Sequence, residues 1–470
     1  MVDTRRIRDF VEWTWDEAAL PVLTEYTRIP ALSPAFDPEW EARGALHDAA
    51  RLLCEWAANR PIPGLTTRLV EPPGRTPLLV AETSGEGPLV LLYGHLDKQP
   101  PLGDWSPGLG PYLPVRREDR LYGRGTADDG YALFAALIAL EAAGAELAAE
   151  RPGTEVATPR CLVVIEASEE SGSPDLPAHL EDLDLPAPDL VVCLDSGSLT
   201  YDRLWVTTSL RGLVEATLRV DVLSYGVHSG MAGGIVPSSF RLLRQLLSRV
   251  EDPETGRVLL PGVAGPEAPH ATPPRWGLPE DLVPAGELPA VPGLRLAGTD
   301  VATLVAAQAS TAALEVTGAD GLPALSEAGN VLRPYTSVKL AMRIPPWADA
   351  PTVAGQLREA LTARPPDGAQ VRADLGAAAE GWLAPRLGGP VADAVEEASE
   401  AYFGNSPGEY GIGGTIPFLP MLQRRFPAAQ FLATGVLGPG SNAHGPDEFL
   451  HLPTAKAVTA CVAHVLASLR

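Results

Sequence analysis

Two adjacent carboxylates, Glu169 and Glu170, follow the apolar run 161–165 after three intervening residues. A buried strand that ends in two acidic residues places like charges where water is scarce, which is unfavourable unless a cation or a proton compensates them. A solvated loop after a strand is the ordinary interpretation of an isolated pair of this kind. Four other segments of this chain also join apolar runs or turns to metal-binding residue types, and the sequence therefore predicts a cation site.

The first of these segments is the apolar run 89–93, which leads to His95 and Asp97. Side chains alternate along a strand, so His95 and Asp97 emerge on the same side. His95 offers a neutral imidazole nitrogen to a metal ion. Asp97 is close enough to orient the ring through its other nitrogen, as carboxylates near metal-bound histidines do.

The other three segments each present one further candidate ligand. They are the glycine-rich turn 123–130 with Asp128, the apolar run 190–194 with Asp195 directly after it, and the loop 438–448 with His444. Each segment alone is weak support for a metal site. Because α/β folds place their sites where strands end in short loops, we expect all of these side chains to meet.

Six motifs follow one another along the chain, and together they carry a family resemblance. They are Gly94-His95-Leu96-Asp97, YGRGTADD at 122–129, EESGS at 169–173, CLDSG at 193–197, GVHSG at 226–230 and SNAHGPDE at 441–448. In these motifs the chain resembles the M20 dinuclear zinc peptidases, and especially their dipeptidase and carnosinase-like branch. The resemblance extends from the N-terminal helix to about Pro453. Six ordered motifs are far more specific than any single match.

The resemblance implies a centre with two divalent metal ions. Its implied ligands are His95 and Asp195 for one ion, Glu170 and His444 for the other, and Asp128 as the bridge. Glu169 would act as general base and acid on a water held between the ions, and Asp97 would support His95. Nitrogen and carboxylate ligands suit zinc, although manganese or cobalt fit the same ligand set.

The resemblance also implies residues that bind the substrate. His228 resembles a lid histidine that reaches the active site of a neighbouring subunit, although a histidine satisfied within its own loop is the alternative. Arg343 resembles the clamp for the substrate carboxylate, a task that suits the planar guanidinium fork. Asn330 would line the same pocket, and Gly414 and Thr415 would offer backbone groups to the substrate.

Two short segments depart from the family pattern. Relatives have Lys-Gly where this chain has Gly130-Tyr131, and they have Arg-Glu-Gly-Gly-Ser-Ile-Pro where this chain has the glycine-rich turn 411–417. The second departure puts Ile412 in place of a charged residue near the amino end of the substrate. An isoleucine there disfavours a free ammonium group, and this predicts tolerance of a blocked or apolar acyl part.

The function expected from these motifs is hydrolysis of an amide bond in a dipeptide or an N-acyl amino acid with a free carboxylate. One alternative is an N-deacylase that removes a succinyl or acetyl group by the same chemistry. An alternative of another class is a non-catalytic metal-binding scaffold protein. Glu169 argues against the scaffold, because a binding protein does not need a general base.

Periodicity predicts an α/β fold, with helical patterns alternating with short strands up to about residue 207. We expect a discontinuous catalytic domain of residues 1–208 and 386–470, with a mixed central sheet flanked by helices. An α+β lid domain is expected at 209–385, built from two helices on one antiparallel sheet. The resemblance implies a homodimer formed through the lid.

Composition limits the possible partners and location. The chain has 470 residues with 36 Lys and Arg against 59 Asp and Glu, a net charge of −23. This balance argues against a nucleic acid or an anionic membrane as partner. We find no export signal and no uninterrupted apolar run near the ~20 residues of a membrane helix. Four cysteines without close spacing predict buried reduced thiols in a cytoplasmic protein.

Overall fold

The structure is a computed structural model of the chain, and it describes residues 2–150, 159–264, 290–296, 298 and 300–469. The Pro/Gly-rich stretch 253–298, for which we expect an extended connection with short helices, lies largely outside the described residues. Its described part includes a short 3₁₀ turn at Pro261–Val263.

The described residues contain thirteen α-helices. They are α1 (Thr4–Thr14), α2 (Leu20–Arg28), α3 (Trp40–Arg43), α4 (Ala45–Ala58), α5 (Ala132–Glu150), α6 (Leu176–Asp182), α7 (Ser229–Ala232), α8 (Ser239–Leu247), α9 (Val301–Ser310), α10 (Ala350–Thr362), α11 (Gly389–Phe403), α12 (Phe418–Arg425) and α13 (Leu452–Ser468). A π-helical turn, Trp15–Ala19, joins α1 to α2.

The described strands form one large mixed sheet, one antiparallel sheet and three small ones. They are β1 (Leu65–Val70), β2 (Leu78–Thr83), β3 (Glu86–His95), β4 (Val115–Arg117), β5 (Arg120–Tyr122), β6 (Pro159–Glu166), β7 (Leu190–Cys193), β8 (Trp205–Leu210), β9 (Gly212–Asp221), β10 (Val227–His228), β11 (Ala313–Asp320), β12 (Val331–Leu332), β13 (Tyr335–Ile344), β14 (Gln370–Ala379), β15 (Trp382–Leu383), β16 (Gly408–Ile412), β17 (Gln430–Ala433) and β18 (Phe449–His451).

The central sheet has the strand order β1-β2-β6-β3-β7-β17. The pairs β1/β2 and β2/β6 are antiparallel, whereas β6, β3, β7 and β17 run parallel to one another. The prediction of a mixed central sheet is confirmed. Because the parallel strands end at the same edge, the segments that follow them are brought together there.

Both faces of the central sheet are covered by helices. Along β3, Val90 and Leu92 pack into the core beneath α1, α4, α5 and α13, whereas Leu91 and Tyr93 pack on the opposite face with α6 and α12. This double burial explains why the strands are apolar without interruption. Helix α5 is long and apolar enough to cross a membrane, but 67% of its apolar stretch Ala132–Ala149 is buried inside the fold. A helix that is apolar all round is typical of such a core position.

The second large sheet is antiparallel, with the order β11-β13-β9-β14. Burial alternates along β9, and its buried face packs with α8 and α10 in a separate hydrophobic core. The prediction of two helices on one antiparallel sheet is confirmed. The domain boundaries at 209 and 385 stay predictions.

Two small sheets that the sequence analysis does not predict position the returning chain. Strand β16 pairs in parallel with β8, so Gly411 and Ile412 belong to a strand and the turn proper begins after them. Strand β18 pairs antiparallel with β5. The second pairing places the loop before β18 beside the glycine-rich turn that follows β5.

Candidate metal centre

The predicted ligands converge at the carboxyl edge of the central sheet. His95 is the last residue of β3, Glu170 follows β6, and Asp195 follows β7. Asp128 comes from the glycine-rich turn before α5, and His444 from the loop before β18. The last two are adjacent because β18 pairs with β5.

Asp128 lies between the two histidines. Its Oδ1 is 3.3 Å from His95 Nε2, and its Oδ2 is 2.9 Å from His444 Nε2. His444 Nε2 is also 3.3 Å from Glu170 Oε1, and His95 Nε2 is 3.8 Å from Asp195 Oδ1. The five predicted ligands thus form one continuous cluster with Asp128 at its centre.

Two groups of ligand atoms in this cluster each lie within 4.8 Å of one another: His95 with Glu169 and Asp195, and His95 with Asp128 and Glu170. Glu169 therefore lies as close to the candidate ligands as Glu170 does. Distance alone does not separate the predicted base from the ligands, and other contacts of the two glutamates are needed.

The donors fit divalent cations. His95 Nε2 and Glu170 Oε1 are buried and make no hydrogen bond in the described structure. Buried polar atoms are nearly always satisfied, so two such atoms in one cleft indicate a missing partner. The cluster offers imidazole nitrogens and carboxylate oxygens, which are the ligands that zinc takes in catalytic sites.

The carboxylates of the cluster have strongly perturbed pKa values. Burial, followed by the charge of Asp195, raises the pKa of Glu169 well above its usual value. Burial also raises the pKa of Asp195 well above its usual range, and burial together with the charge of Asp128 raises that of Glu170. In the absence of a cation the protonated forms of Glu169, Glu170 and Asp195 are favoured more than usual, because four carboxylates in one cleft repel one another.

The histidines respond in the opposite sense. Burial by itself would lower the pKa of His95, but the nearby Asp128 carboxylate and the charges of Asp195 and Asp97 raise it well above its usual value. For His444 the nearby carboxylates of Asp128 and Glu170 outweigh burial and raise the pKa to about 11. A divalent cation would displace these protons, because metal ligands bind in their deprotonated forms.

Asp97 contacts both His95 and the two glutamates. Its carboxylate lies 3.4 Å from His95 Nδ1, which also approaches the Asp97 carbonyl oxygen at 3.1 Å. The same carboxylate accepts the backbone N–H groups of Glu169 and Glu170 at 3.1 and 3.0 Å. Asp97 therefore fixes the loop of the glutamates as well as the imidazole ring.

Gln99 distinguishes the two adjacent glutamates. Its Nε2 donates to Glu170 Oε2 at 2.7 Å, which fixes the Glu170 side chain toward Asp128 and His444. The Glu169 carboxylate, which is half-buried, accepts no hydrogen bond from the residues that the structure describes.

A buried ion pair between Arg124 and Glu448 supports this site, and no role is predicted for either residue from the sequence. Arg124 Nη1 lies 2.5 Å from Glu448 Oε2, and the two side chains are 1% and 0% exposed. Arg124 also donates to the Gly445 carbonyl, and Glu448 accepts the backbone N–H of Gly125. The pair thus joins the loop of His444 to the turn of Asp128. Both residues lie inside the motifs at 122–129 and 441–448, and this position is the only feature of the sequence that points to them.

The predicted substrate residues Arg343 and Thr415 are in contact. Arg343 Nη1 donates to Thr415 Oγ1 at 3.0 Å, and that hydroxyl donates to the Arg211 carbonyl at 2.6 Å. Gly414 follows Ile412, the last residue of β16, and a Cβ added to Gly414 would be 3.9 Å from Ile412 Cδ1. The structure therefore brings Arg343, Thr415 and Gly414 together.

His228 and Asn330 also lie side by side, at the small two-stranded antiparallel sheet of β10 and β12. His228 pairs with Val331, and the Ser229 N–H donates to the Asn330 carbonyl at 2.9 Å. The His228 ring accepts the Gly230 N–H at 3.1 Å. Within the described part of one chain, no hydrogen bond or ion pair joins His228 to the candidate metal ligands, and its catalytic role stays a prediction.

A mixed β-sheet between helices, with two histidines and several carboxylates at its edge, is typical of a metal-dependent hydrolase. The chain belongs to Peptidase family M20/M25/M40, whose family model matches residues 91–468. It is 31% identical to the cysteinylglycine-S-conjugate dipeptidase of Corynebacterium striatum over 376 residues, 78% of each chain. It is 30% identical to the human Beta-Ala-His dipeptidase over 195 residues, 40% of this chain and 36% of that one.

Solved structures agree with this fold. The di-peptidase Dug1p of Saccharomyces cerevisiae superposes with a TM-score of 0.77 at 20% identity, over 99% of this chain and 98% of that one. Human carnosine dipeptidase 1 gives a TM-score of 0.72 at 19% identity, over 99% and 98%. The predicted M20 resemblance, the fold class and the metallopeptidase class are confirmed.

We expect Glu448→Gln to destabilise the protein strongly, because it leaves the Arg124 guanidinium buried without its charged partner. The predicted loss in the free energy of unfolding is about 3 kcal/mol or more. Denaturant unfolding in the presence of a chelator measures this loss. Burial raises the pKa of Glu448 to about 7, so the experiment is done at pH 8, where the carboxylate is ionised.

The matched control is Asp367→Asn, which removes the partner of Arg241 in an ion pair whose side chains are 50% and 52% exposed. We expect at most about 1 kcal/mol for this change. Equal losses in the two variants would contradict the role of the buried pair.

Proposed function

We propose that this chain hydrolyses the amide bond of dipeptides with a free C-terminal carboxylate, using two divalent cations of which zinc is the expected metal. The observation that carries the proposal is the position of Asp128, whose two oxygens lie 3.3 Å from His95 and 2.9 Å from His444. A carboxylate that faces two histidines with opposite oxygens is suited to bridge two ions.

The proposed ligands of the ions are His95, Asp195, Glu170 and His444, with Asp128 as the bridge. When bound, the ions would polarise the scissile carbonyl and lower the pKa of water to about 7. Asp97 would keep the His95 ring and the glutamate loop in place through the contacts that it makes to both. Manganese and cobalt remain compatible with the same donors.

Glu169 is the proposed general base and acid. Glu170 is tied to Gln99, whereas the Glu169 carboxylate has no described hydrogen-bond partner and can accept a proton from water. The Glu169 backbone is nevertheless fixed by its N–H donation to Asp97. A fixed backbone with an unengaged carboxylate suits a group that takes a proton from water and returns it to the leaving amine.

The substrate carboxylate is proposed to bind Arg343 and Thr415. Arg343 is half-buried and forms no ion pair with a described carboxylate, while its Nη1 donates to Thr415. Dipeptides have a free carboxylate next to the scissile bond, which a guanidinium binds in bidentate fashion. The two dipeptidase relatives support this substrate class.

A second candidate is removal of an N-acyl group from an amino acid. Ile412 favours it, because its apolar side chain lies beside Gly414 in the proposed pocket and offers nothing to a free ammonium group. Similarity to the succinyl-diaminopimelate desuccinylase of Verminephrobacter eiseniae covers only 85 residues at 38% identity, 18% of this chain. The dipeptide therefore remains the favoured substrate.

Glu169→Ala is expected to lower kcat by a factor of about 10²–10⁴, because the proton relay is lost. Its metal content, measured by elemental analysis on the same sample, should stay at the wild-type value. Glu181→Ala, an exposed glutamate of α6, is the matched control and should keep full activity. Unchanged turnover in Glu169→Ala would contradict the assignment, and lost metal would make Glu169 a ligand.

The two candidate functions are separated by turnover of a substrate panel. Free dipeptides and the corresponding N-acetyl and N-succinyl amino acids are compared after chelation and reloading with zinc, manganese or cobalt. We expect cleavage of free dipeptides, and the ratio of kcat/KM between free and blocked substrates gives the effect of Ile412. Cleavage of blocked substrates alone would establish the N-deacylase instead.

We further propose a homodimer formed through the lid, with His228 of one subunit acting at the partner's site on the oxyanion. The segment 225–235, which contains His228, exposes large apolar side chains, with Tyr225 at 72%, Met231 at 76% and Ile235 at 81% exposure. Exposed apolar clusters of this kind mark interaction surfaces. A partner would bury this cluster and bring His228 to a second centre.

Ile235→Glu is expected to convert the dimer to a monomer, because a charge in an apolar interface is unfavourable. Light scattering after size exclusion measures the mass, and turnover should fall with the loss of the partner's histidine. Trp13→Glu, at another apolar side chain that is 64% exposed, is the control and should leave the mass unchanged. A wild-type protein that is monomeric and fully active would contradict the proposal.

A cytoplasmic location is also proposed. All four cysteines are free thiols, of which Cys161, Cys193 and Cys461 are buried and Cys54 is half-buried. The prediction that all four are buried is wrong for Cys54. Unpaired cysteines are typical of reducing compartments.

A further inference from the structure

A second arginine, Arg211, lies beside the proposed carboxylate site and forms no ion pair with a carboxylate among the described residues. It stands between β8 and β9, and its Nη1 donates to the Thr311 carbonyl at the end of α9. Its Nε is buried and makes no hydrogen bond in the described structure. A half-buried guanidinium with an unsatisfied N–H group and no carboxylate beside it is unusual, since buried charges are normally paired.

The Arg211 guanidinium is directed at the loop that carries Thr415. A Cβ added to Gly413 would lie 2.6 Å from Arg211 Nη2, so only a glycine leaves room for this approach. The Arg211 backbone is tied to the same loop, because its carbonyl accepts the Thr415 hydroxyl and its N–H donates to the Ile412 carbonyl. Arg343 contacts the loop two residues further on, at Thr415.

The Arg343 guanidinium is close enough to Arg211 to lower its pKa. Burial, followed by the charge of Arg343, lowers the pKa of Arg211. The acidic neighbour of Arg343 is Glu215, which is itself paired with Lys339 at 3.2 Å. Two cations therefore lie along one loop with little compensation, and the α-carboxylate of a dipeptide neutralises only one of them.

We propose that Arg211 binds a second carboxylate of the substrate, so that the enzyme prefers dipeptides whose C-terminal residue is Asp or Glu. This inference rests on the proposed function, in which Arg343 and Thr415 hold the α-carboxylate. The acidic side chain of the same residue then reaches Arg211 at Gly413, and each carboxylate has its own guanidinium.

The test compares Ala-Glu with Ala-Gln, which differ in charge and hardly in size. For the metal-loaded wild type we expect kcat/KM to be at least about tenfold higher for Ala-Glu, mainly through KM, as a hydrogen-bonded charge pair gives. In Arg211→Gln this ratio should fall to about one, and Arg211→Lys, which keeps the charge without the fork, should retain part of it.

Arg219→Gln is the matched control, since Arg219 lies on β9 and pairs with Asp221 instead of facing the loop. It should keep the wild-type ratio. Because each ratio is internal to one variant, a general loss of stability in Arg211→Gln does not produce the expected result.

Equal cleavage of Ala-Glu and Ala-Gln by the wild type, or an unchanged ratio in Arg211→Gln, overturns this inference and leaves the proposed function intact. Failure of the metal-loaded wild type to cleave either peptide or any other dipeptide overturns both.

Discussion

The site depends on mutual repulsion among carboxylates that the fold forces together. Asp128, Glu169, Glu170 and Asp195 share one cleft, and burial raises the pKa of three of them. A folded chain does not hold such a cluster without compensating positive charge. Protonated histidines supply part of it here, and two divalent cations would supply it with the geometry needed for hydrolysis.

The parallel strands and one buried ion pair keep this unfavourable cluster in place. Strands β3, β6 and β7 end together, so His95, the Glu169–Glu170 loop and Asp195 meet without long connections. The remaining two ligands come from segments more than 300 residues apart in the sequence, and Arg124 with Glu448 joins those segments. The stability of the fold and the binding of metal therefore depend on the same ion pair.

The strands and the ligands were predictable from sequence for a physical reason. An apolar run that ends in a carboxylate or a histidine, as at His95 and Asp195, shows both the buried strand and the group at its end. The long helices were predictable in the same way, because the residues that they bury in the core are apolar and recur along each helix. Strand β16 was not, since its glycines lack side chains that show a period, and its pairing with β8 depends on residues about 200 positions away.

The finer contacts of the site also could not be read from the sequence. The Asp97 carboxylate was assigned to His95 alone, yet it also accepts two backbone N–H groups from the glutamate loop, a contact that only the folded chain defines. The roles of Arg124 and Glu448 were missed because charged residues within a motif do not indicate which of them pair. No role is predicted for Arg211 from the sequence, because only the fold places it beside Gly413 and near Arg343.

We propose that Asp128 and its neighbours hold two metal ions at once. Anomalous diffraction from zinc-loaded crystals, recorded on both sides of the zinc absorption edge, measures this. We expect two peaks about 3.5–4 Å apart, one next to His95 and one next to His444, with Asp128 between them. A single peak, or a fully active crystal form without a peak at Asp128, would contradict it.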